Sequence, residues 1–339
     1  FVVNDLGEII YQASSFKEEV FHLDIDLKTN KQNDKSPLII RPKTIELKDV
    51  ESKASLSKNE SIYSALKLGL KDYVRKNKFT KVLIGISGGI DSALTAAICV
   101  DALGAENVIG VAMPSKYNSK DSLDDAIKLS DNLGITLKTI EIEKLVDDFR
   151  ETLTNSLNED LGQITDENIQ SRVRGNILMG LSNQTGAMVV STGNKSEMAV
   201  GYSTLYGDLA GGFALIKDLY KTKVYELSNY INSISDAIPK NIITKEPSAE
   251  LRPNQFDSDS LPDYEVLDKI LNLYIEEDSS SEKIIASGVD PNLVFDVLEK
   301  VDRNEYKRKQ VAPGVKLTQK AFGKDRRMPI TNTYIRQKE

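Results

Sequence analysis

The feature that most constrains the fold is an alternation of short apolar runs with helical segments of ten or more residues, which begins after Lys58. The run 81–86 is β-branched and apolar on both faces, as a buried parallel strand is. Further strands are predicted at 107–113, 135–142 and 187–192, and helices at 61–76, 91–103, 122–133, 143–157 and 163–183. Such alternation requires a mainly parallel sheet with helices on both faces. The fold class predicted is therefore α/β, doubly wound and Rossmann-like.

The first 58 residues follow a different pattern. Two short strands are predicted at 1–3 and 9–13 around a polar turn, and a third at 20–26. So short a ribbon buries little surface alone, so we expect it to complete a sheet whose other strands lie upstream. The chain opens on Phe1 rather than Met, and we expect a fragment of a longer protein. Residues 28–58 are polar and are predicted to form a linker.

Composition excludes several kinds of chemistry. His22 is the only histidine, so a Ser-His-Asp triad or a histidine zinc site can hardly be built. The single cysteine, Cys99, rules out an intramolecular disulfide framework and fits a reducing, cytoplasmic compartment. Lys and Arg number 44 against 51 Asp and Glu, a net charge of −7 that argues against a nucleic-acid partner. No stretch approaches the roughly 20 apolar residues of a membrane helix.

The strongest motif is Gly-Ile-Ser-Gly-Gly-Ile-Asp-Ser at 85–92, between a predicted buried strand and a predicted helix. Paired glycines let the backbone approach a bulky anion, and a helix N-terminus offers free N–H groups and a favourable dipole. Asp91 stands where the common triphosphate loop carries a lysine. An acid is tolerable beside pyrophosphate if a divalent metal lies between them, so the motif predicts a pyrophosphate site with magnesium on Asp91. The alternative is that Ser87 and Asp91 merely cap the helix.

The segment 87–92 resembles the pyrophosphatase loop of the N-type ATP pyrophosphatases, which split ATP between its α and β phosphates to form an adenylate. Their fold is of the adenine nucleotide alpha hydrolase type. Segments further along the chain closely resemble NAD synthetase, and more narrowly its glutamine-dependent bacterial form: 191–197, 201–208, 219–225, 246–253 and 322–330. Several separated motifs in the right order make chance agreement improbable.

This resemblance implies a domain organisation. Residues 59–339 would form the NAD synthetase domain, and 1–27 the end of a nitrilase-like glutaminase domain, with 28–58 as the linker. The catalytic Glu, Lys and Cys of the glutaminase would lie upstream, so we expect this fragment to use ammonia but not glutamine. The family also implies association into at least a dimer.

The implied activity is that of a ligase forming a carbon–nitrogen bond. ATP adenylates the nicotinate carboxylate of deamido-NAD, pyrophosphate leaves, and ammonia displaces AMP to give NAD. In the full-length protein the upstream domain would supply ammonia from glutamine. Mg²⁺ is the implied cofactor and ATP the cosubstrate, and neither a nucleic acid nor a membrane is an expected partner.

The resemblance also assigns site residues. Lys221, Asp91 and Glu197 are the catalytic candidates, and the last two are the magnesium ligands. The residues implied to bind ATP are Gly85, Ile86, Ser87, Gly88, Gly89, Ile90, Asp91, Ser92, Thr192, Lys221 and Ser248. Those implied to bind deamido-NAD are Asn168, Arg172, Glu197, Tyr202, Ser203, Thr204, Leu205 and Lys324. Asn168 and Arg172 are four residues apart on a predicted helix and so share a face.

Some features allow two interpretations. Asp208 and Arg174 either contact substrate or belong to structural ion pairs. Nine basic residues between 303 and 327 could bind nucleic acid, but we favour a solvated helix face followed by a tail that closes over the substrate. The acidic residues at 257, 259 and 263 lack the glycine of a calcium loop and are interpreted as a turn before a helix at 263–274.

Tyr202 and Tyr206 are also open to a second interpretation, as packed aromatic residues.

Two other functions compete with amidation of deamido-NAD. One is another adenylating enzyme of the same superfamily, such as a tRNA-modifying enzyme, which needs a basic surface. The other is a nucleotide-binding regulatory module that has lost turnover. That module should lack metal or phosphate ligands, whereas Asp91, Glu197 and Lys221 are all present.

Overall fold

The computed structural model describes residues 1–3, 6–23 and 55–331. The chain divides into two compact units, residues 1–61 and 62–339. In the first unit, β1 (Val2–Val3) pairs antiparallel with β2 (Ile9–Tyr11), which confirms two predicted strands. The strand predicted at 20–26 is wrong for residues 20–23, which form no strand, and residues 24–26 lie outside the described residues. Here Phe21 stacks its ring on that of Tyr11, with centroids 4.2 Å apart, instead of pairing its backbone.

The predicted linker at 28–58 lies outside the described residues up to position 54. Its last residue, Lys58, already begins the first helix.

The second unit is built on a five-stranded sheet in which every neighbouring pair is parallel. In spatial order the strands are β5 (Thr136–Thr139), β4 (Val108–Ala112), β3 (Val82–Gly85), β6 (Met188–Ser191) and β7 (Phe213–Ala214). The chain runs outward from β3 first to one side and then to the other, which confirms the doubly wound α/β prediction. Val82 lies opposite both Val108 and Met188.

The helices that accompany these strands in the described part are α1 (Lys58–Lys76), α2 (Ile90–Leu103), α3 (Lys120–Leu133), α4 (Glu143–Leu157), α5 (Gln163–Thr185), α6 (Lys195–Val200), α7 (Lys221–Ile234), α8 (Lys240–Thr244), α9 (Tyr264–Leu271), α10 (Ser281–Ala286), α11 (Pro291–Arg303) and α12 (Glu305–Arg308). Short 3₁₀ turns occur at Ala105–Asn107 and Asp257–Asp259, and a π-helical turn, Asn272–Glu276, continues α9.

Two apolar cores lie on opposite faces of the sheet because successive strand side chains point to opposite sides. Val82 and Ile84 join the core formed with α2, α3 and α7, whereas Leu83 joins the core formed with α4 and α5. A third core of α9, α10 and α11 packs against Ala199 and Val200 of α6. The β-branched composition of the central strands suits burial on both faces.

This arrangement positions a site at one edge of the sheet. Since all five strands are parallel, their carboxyl ends share that edge, where α2 and α6 begin directly after β3 and β6. Ligands of doubly wound folds bind there. In the described part of the chain, no helix combines the length and apolar character needed to cross a membrane.

Candidate active site

A cavity of about 310 Å³ lies at the carboxyl ends of β3, β4 and β6. Its apolar wall includes Val111, Met113 and Leu178. Twelve of the predicted site residues line it: Gly85, Ile86, Ser87, Gly89, Ile90, Asp91, Ser92, Thr192, Glu197, Tyr202, Lys221 and Ser248. Most of the predicted ATP set is therefore brought to one place.

Two serines of the glycine-rich loop form hydrogen bonds with its backbone. The Gly89 N–H donates to Ser87 Oγ at 3.2 Å, and Ser92 Oγ donates to the Gly89 carbonyl at 2.9 Å. Gly89 is the N-cap of α2 and has no side-chain cap, and the Asp91 carboxylate bonds elsewhere. The capping alternative is therefore wrong for Asp91, whereas Ser87 does accept a hydrogen bond from the N-cap residue Gly89. The first turn of α2 keeps its dipole directed at the cavity.

Gly88 is the loop position least tolerant of a side chain. Its φ is +77°, and an added Cβ would lie 2.2 Å from the carbonyl oxygen of Ser122. We expect Gly88→Ala to displace the loop and to lower the affinity for ATP by at least about 10-fold. The variant should also lose about 1–2 kcal/mol of stability, which is the usual cost of an alanine in the left-handed conformation. Titration calorimetry with ATP measures the first effect, and urea unfolding the second.

Gly186→Ala is the matched control, because Gly186 has φ +71° and nothing within 4 Å of an added Cβ. It should lose comparable stability while keeping its ATP affinity. Equal ATP affinity in the Gly88 variant and the native chain would contradict a phosphate role for this loop.

The three predicted catalytic residues form one charged cluster. Lys221 begins α7 and is 3% exposed; its Nζ lies 2.6 Å from Asp91 Oδ2 and 3.0 Å from Glu197 Oε1. Asn194 positions both acids: its amide donates to Asp91 Oδ1 at 3.0 Å, and its Oδ1 caps α6 by accepting from the Glu197 N–H. The sequence analysis missed Asn194, although an Asn just before a short helix is a capping signal.

Negative charge exceeds positive charge in this cluster. Burial raises the pKa of the Glu197 carboxyl to about 7, against the opposing effect of the Lys221 ammonium and with support from Asp91. Burial alone would lower the pKa of Lys221, but Asp91 and Glu197 outweigh it and raise that pKa well above its usual range. The cluster therefore favours binding of a further cation.

Asp257 is a third acid beside the cluster and was interpreted from sequence only as part of a turn. It does lie in a 3₁₀ turn, which confirms that interpretation, but it also lines the cavity. The Tyr264 hydroxyl donates to Asp257 Oδ2 at 2.8 Å and contacts Glu197 Oε1 at 3.3 Å. Burial raises the pKa of the Asp257 carboxyl, and Lys221 opposes that rise.

Of the eight residues predicted to bind deamido-NAD, two line the cavity, Glu197 and Tyr202. Thr204 Oγ1 donates to Asn168 Oδ1 at 2.7 Å, and Arg172 Nε donates to the Leu205 carbonyl at 3.2 Å, so one face of α5 holds the loop after α6. Lys324 is exposed and is not among the residues that line the cavity.

Arg174 and Asp208, the two ambiguous residues, both line the cavity. Arg174 donates to the Met113 carbonyl and to Asn118 Oδ1, each at 3.1 Å, and burial lowers its pKa to about 10. Burial raises the pKa of Asp208 to about 6, although its carboxylate accepts from the Thr204 N–H at 2.7 Å.

The two tyrosines of the 201–208 segment behave differently. Tyr202 packs against the third core, whereas Tyr206 is exposed, so its interpretation as a packed aromatic residue is wrong. Its backbone is in the left-handed region, with φ +63°.

The segment 245–257 closes one side of the cavity. Ser248 lines it, and its hydroxyl donates to the Gln255 carbonyl and accepts from the Glu250 N–H. Glu250 accepts hydrogen bonds from Asn118 at 2.7 Å and Ser122 at 2.6 Å, which ties this segment to the start of α3. Hydrophobic periodicity does not mark Glu250, and its partners Asn118 and Ser122 lie more than 120 residues away in the sequence.

The comparisons with known proteins identify the family. The sequence model of the NAD synthase family matches residues 62–311. The glutamine-dependent NAD(+) synthetase of Thermotoga maritima is 49% identical over 98% of this chain and 61% of its own length. The chain thus spans about half to three-fifths of the length of the curated relatives it matches.

The chain is also similar to solved structures of synthetases. A glutamine-dependent NAD⁺ synthetase from Acinetobacter baumannii, in complex with ADP, is 48% identical with a TM-score of 0.57, covering 83% of this chain and 51% of that one. The NMN synthetase of Francisella tularensis is 28% identical with a TM-score of 0.64, covering 75% of this chain and 97% of that one. With most of the second unit matched by the family model, the chain belongs to the NAD synthase family.

Proposed function

We propose that this chain amidates deamido-NAD to NAD at the expense of ATP, through an adenylate, with release of AMP and pyrophosphate. The observation that carries the proposal is the buried Lys221 ammonium held between Asp91 and Glu197 at the mouth of the glycine-rich loop. A cation fixed beside an anion cradle is suited to the charge that develops on phosphate as pyrophosphate leaves.

The loop and the lysine act on the first step. The free N–H groups of the first turn of α2 bind the phosphates, and Lys221 stabilises the α phosphate as the nicotinate carboxylate attacks it. The carboxylate is already ionised, so the step needs no histidine base, which agrees with the single His22 of the chain. The apolar wall at Val111, Met113 and Leu178 offers a place for the adenine ring.

Asp91 and Glu197 are the proposed magnesium ligands. Their oxygens converge within 3.0 Å of one Nζ, and the excess of acids favours a divalent cation. Among residues 1–3, 6–23 and 55–331, no group of three or more His, Cys, Asp or Glu side chains is arranged to hold a metal ion. Two protein carboxylates plus phosphate oxygens and waters suit Mg²⁺, which when bound would neutralise phosphate charge.

The second step needs ammonia and a dry site. The segment 245–257 contributes residues to one side of the cavity, where it would limit the access of water that hydrolyses the adenylate. We propose that an upstream glutaminase domain supplies the ammonia in the longer protein, since the curated relatives extend beyond this chain. The domain limits 1–27, 28–58 and 59–339 remain part of this proposal, as does a cytoplasmic location.

We further propose that the chain forms at least a homodimer. Leu145, Phe149 and Leu157 leave an apolar face of α4 exposed, and Ile164 at the start of α5 is exposed as well. Large apolar side chains left exposed close together in sequence would suit an interface between proteins.

One incubation tests the function. The chain is mixed with Mg²⁺, ATP, deamido-NAD and an ammonium salt, and NAD, AMP and pyrophosphate are quantified by chromatography. We expect the three products in equal amounts with ammonium and no product with glutamine. Parallel reactions replace deamido-NAD by nicotinate mononucleotide or by tRNA. AMP release that depends on either of these, and not on deamido-NAD, would refute the proposal.

A further inference from the structure

Part of the basic run at 303–327 turns inward. Arg308 is 7% exposed, and its guanidinium donates to the Ala199 carbonyl at 2.6 Å. Lys307 Nζ donates to the carbonyls of Gly201 at 2.7 Å and Ser203 at 2.8 Å. These two cations serve neither a nucleic acid nor a solvated helix face.

Their targets lie at the end of α6 and in the loop that follows it. The last carbonyls of a helix have no partner within the helix, and a positive charge beside them is favourable. Asn304 adds a third donor from the same side, to the Val200 carbonyl at 2.9 Å. Gly201 ends α6 with φ +75°, and an added Cβ there would lie 2.1 Å from Asn304 Cγ.

The loop 201–208 is thereby held from two sides. Lys307 reaches it from α12, and Asn168 and Arg172 hold its residues Thr204 and Leu205 from α5. The Lys307 side chain does not line the cavity, whereas Tyr202, Gly207 and Asp208 in this loop do. Lys307 therefore acts on the cavity through the loop, by its hydrogen bonds to the loop backbone and by its charge, which opposes the rise in the pKa of Asp208.

We propose that Lys307 is a positioning residue that presets the loop 201–208 for the dinucleotide substrate, an inference that rests on the proposed function. Its two charge-assisted hydrogen bonds fix the carbonyls on either side of Tyr202. Without them the substrate must order the loop as it binds, and that ordering costs affinity. ATP binds to the glycine-rich loop and Lys221, which Lys307 does not contact.

Lys307→Met tests this directly. We expect the KM for deamido-NAD to rise by about 10- to 100-fold. This is the loss of affinity that corresponds to the free energy of a hydrogen bond to a charged group. The KM for ATP should stay within about 2-fold of the native value, because the phosphate side of the cavity is unchanged. Lys307→Arg keeps a cation and donors at this position and should restore part of the deamido-NAD affinity.

The matched control is Lys309→Met, a neighbouring lysine that pairs with Glu305 at 3.8 Å and is 38% exposed. It should leave both KM values unchanged. If Lys307→Met does not fold, Lys307→Gln, which keeps an N–H donor without the charge, takes its place with the same expected KM split.

The outcomes separate the two proposals. Failure of the native chain to use deamido-NAD at all overturns the proposed function. A native chain that uses it, together with an unchanged deamido-NAD KM in the Lys307 variant, overturns the positioning role alone. Equal rises in both KM values, without rescue by Arg, show a merely structural residue and also overturn it.

Discussion

Lys221→Met is expected to lower kcat for NAD formation by about 10²- to 10³-fold, with the protein still folded. The ammonium lies within 3.0 Å of both Asp91 and Glu197, and the proposed function places the reacting phosphate beside it. Methionine keeps the length and apolar stem of lysine but removes the charge. With no cation, the two acids also repel the phosphates of ATP, so the chemical step loses stabilisation of its developing charge.

Lys223→Met provides the control, because Lys223 lies on the same helix and pairs with Glu226 at the surface. It should retain native kcat. Steady-state production of NAD and AMP is the measurement, and thermal melting checks that each variant is folded. A Lys221 variant that keeps more than about a tenth of native kcat would remove this residue from the chemistry.

Stability of the Lys221 variant should also depend on pH. The Glu197 carboxyl already has a pKa near 7, above its value in the unfolded chain, and loss of the ammonium raises it further. The folded state then binds more protons than the unfolded state at pH values between the two pKa values. The variant therefore loses stability as the pH rises from the ordinary pKa of a glutamate, 4.5, to the raised pKa of Glu197.

The fold could be predicted from hydrophobic periodicity because most strands and helices around the sheet are long enough to show a repeat of the pattern. The runs that became β3 and β4 are apolar on both faces, and only burial between two helical layers suits such runs. β7 escaped prediction because Phe213–Ala214 spans two residues, too few for any period. Residues 20–23 carry a strand-like alternation, but a strand forms only where another chain segment pairs with it.

The candidate site was less accessible to such reasoning. The sequence indicated an anion cradle at 85–92, but Lys221 and Asp91 are 130 residues apart and only topology brings them together. Their roles therefore came from the resemblance to NAD synthetase. Asn194 and Lys307 were missed because each donates to a partner distant in sequence. Asp257 was interpreted only as part of a turn, because nothing in the sequence places that turn beside the cavity.

A second buried ammonium, that of Lys195, lies outside the cavity and is expected to contribute to the stability of the fold. Lys195 is fully buried, and its Nζ lies 3.0 Å from Asp218 Oδ1 and 2.6 Å from Thr318 Oγ1. Glu276, in the π-helical turn after α9, is its other acidic partner. Lys195 thus joins α6, the third core and the segment that follows α12.

Lys195→Met is expected to destabilise the chain by about 3–5 kcal/mol, because it leaves Asp218 and Glu276 buried without their cation. Urea unfolding followed by circular dichroism measures the change in free energy. Lys300→Met is the surface control: Lys300 pairs with Asp296 at 2.8 Å, the two side chains are 36% and 51% exposed, and its loss should cost less than about 1 kcal/mol. Adding Glu276→Gln to the Lys195 variant should recover part of the loss, since one uncompensated charge is removed. Equal unfolding free energies for the two lysine variants would mean that the buried acids are stabilised by their other hydrogen bonds rather than by Lys195.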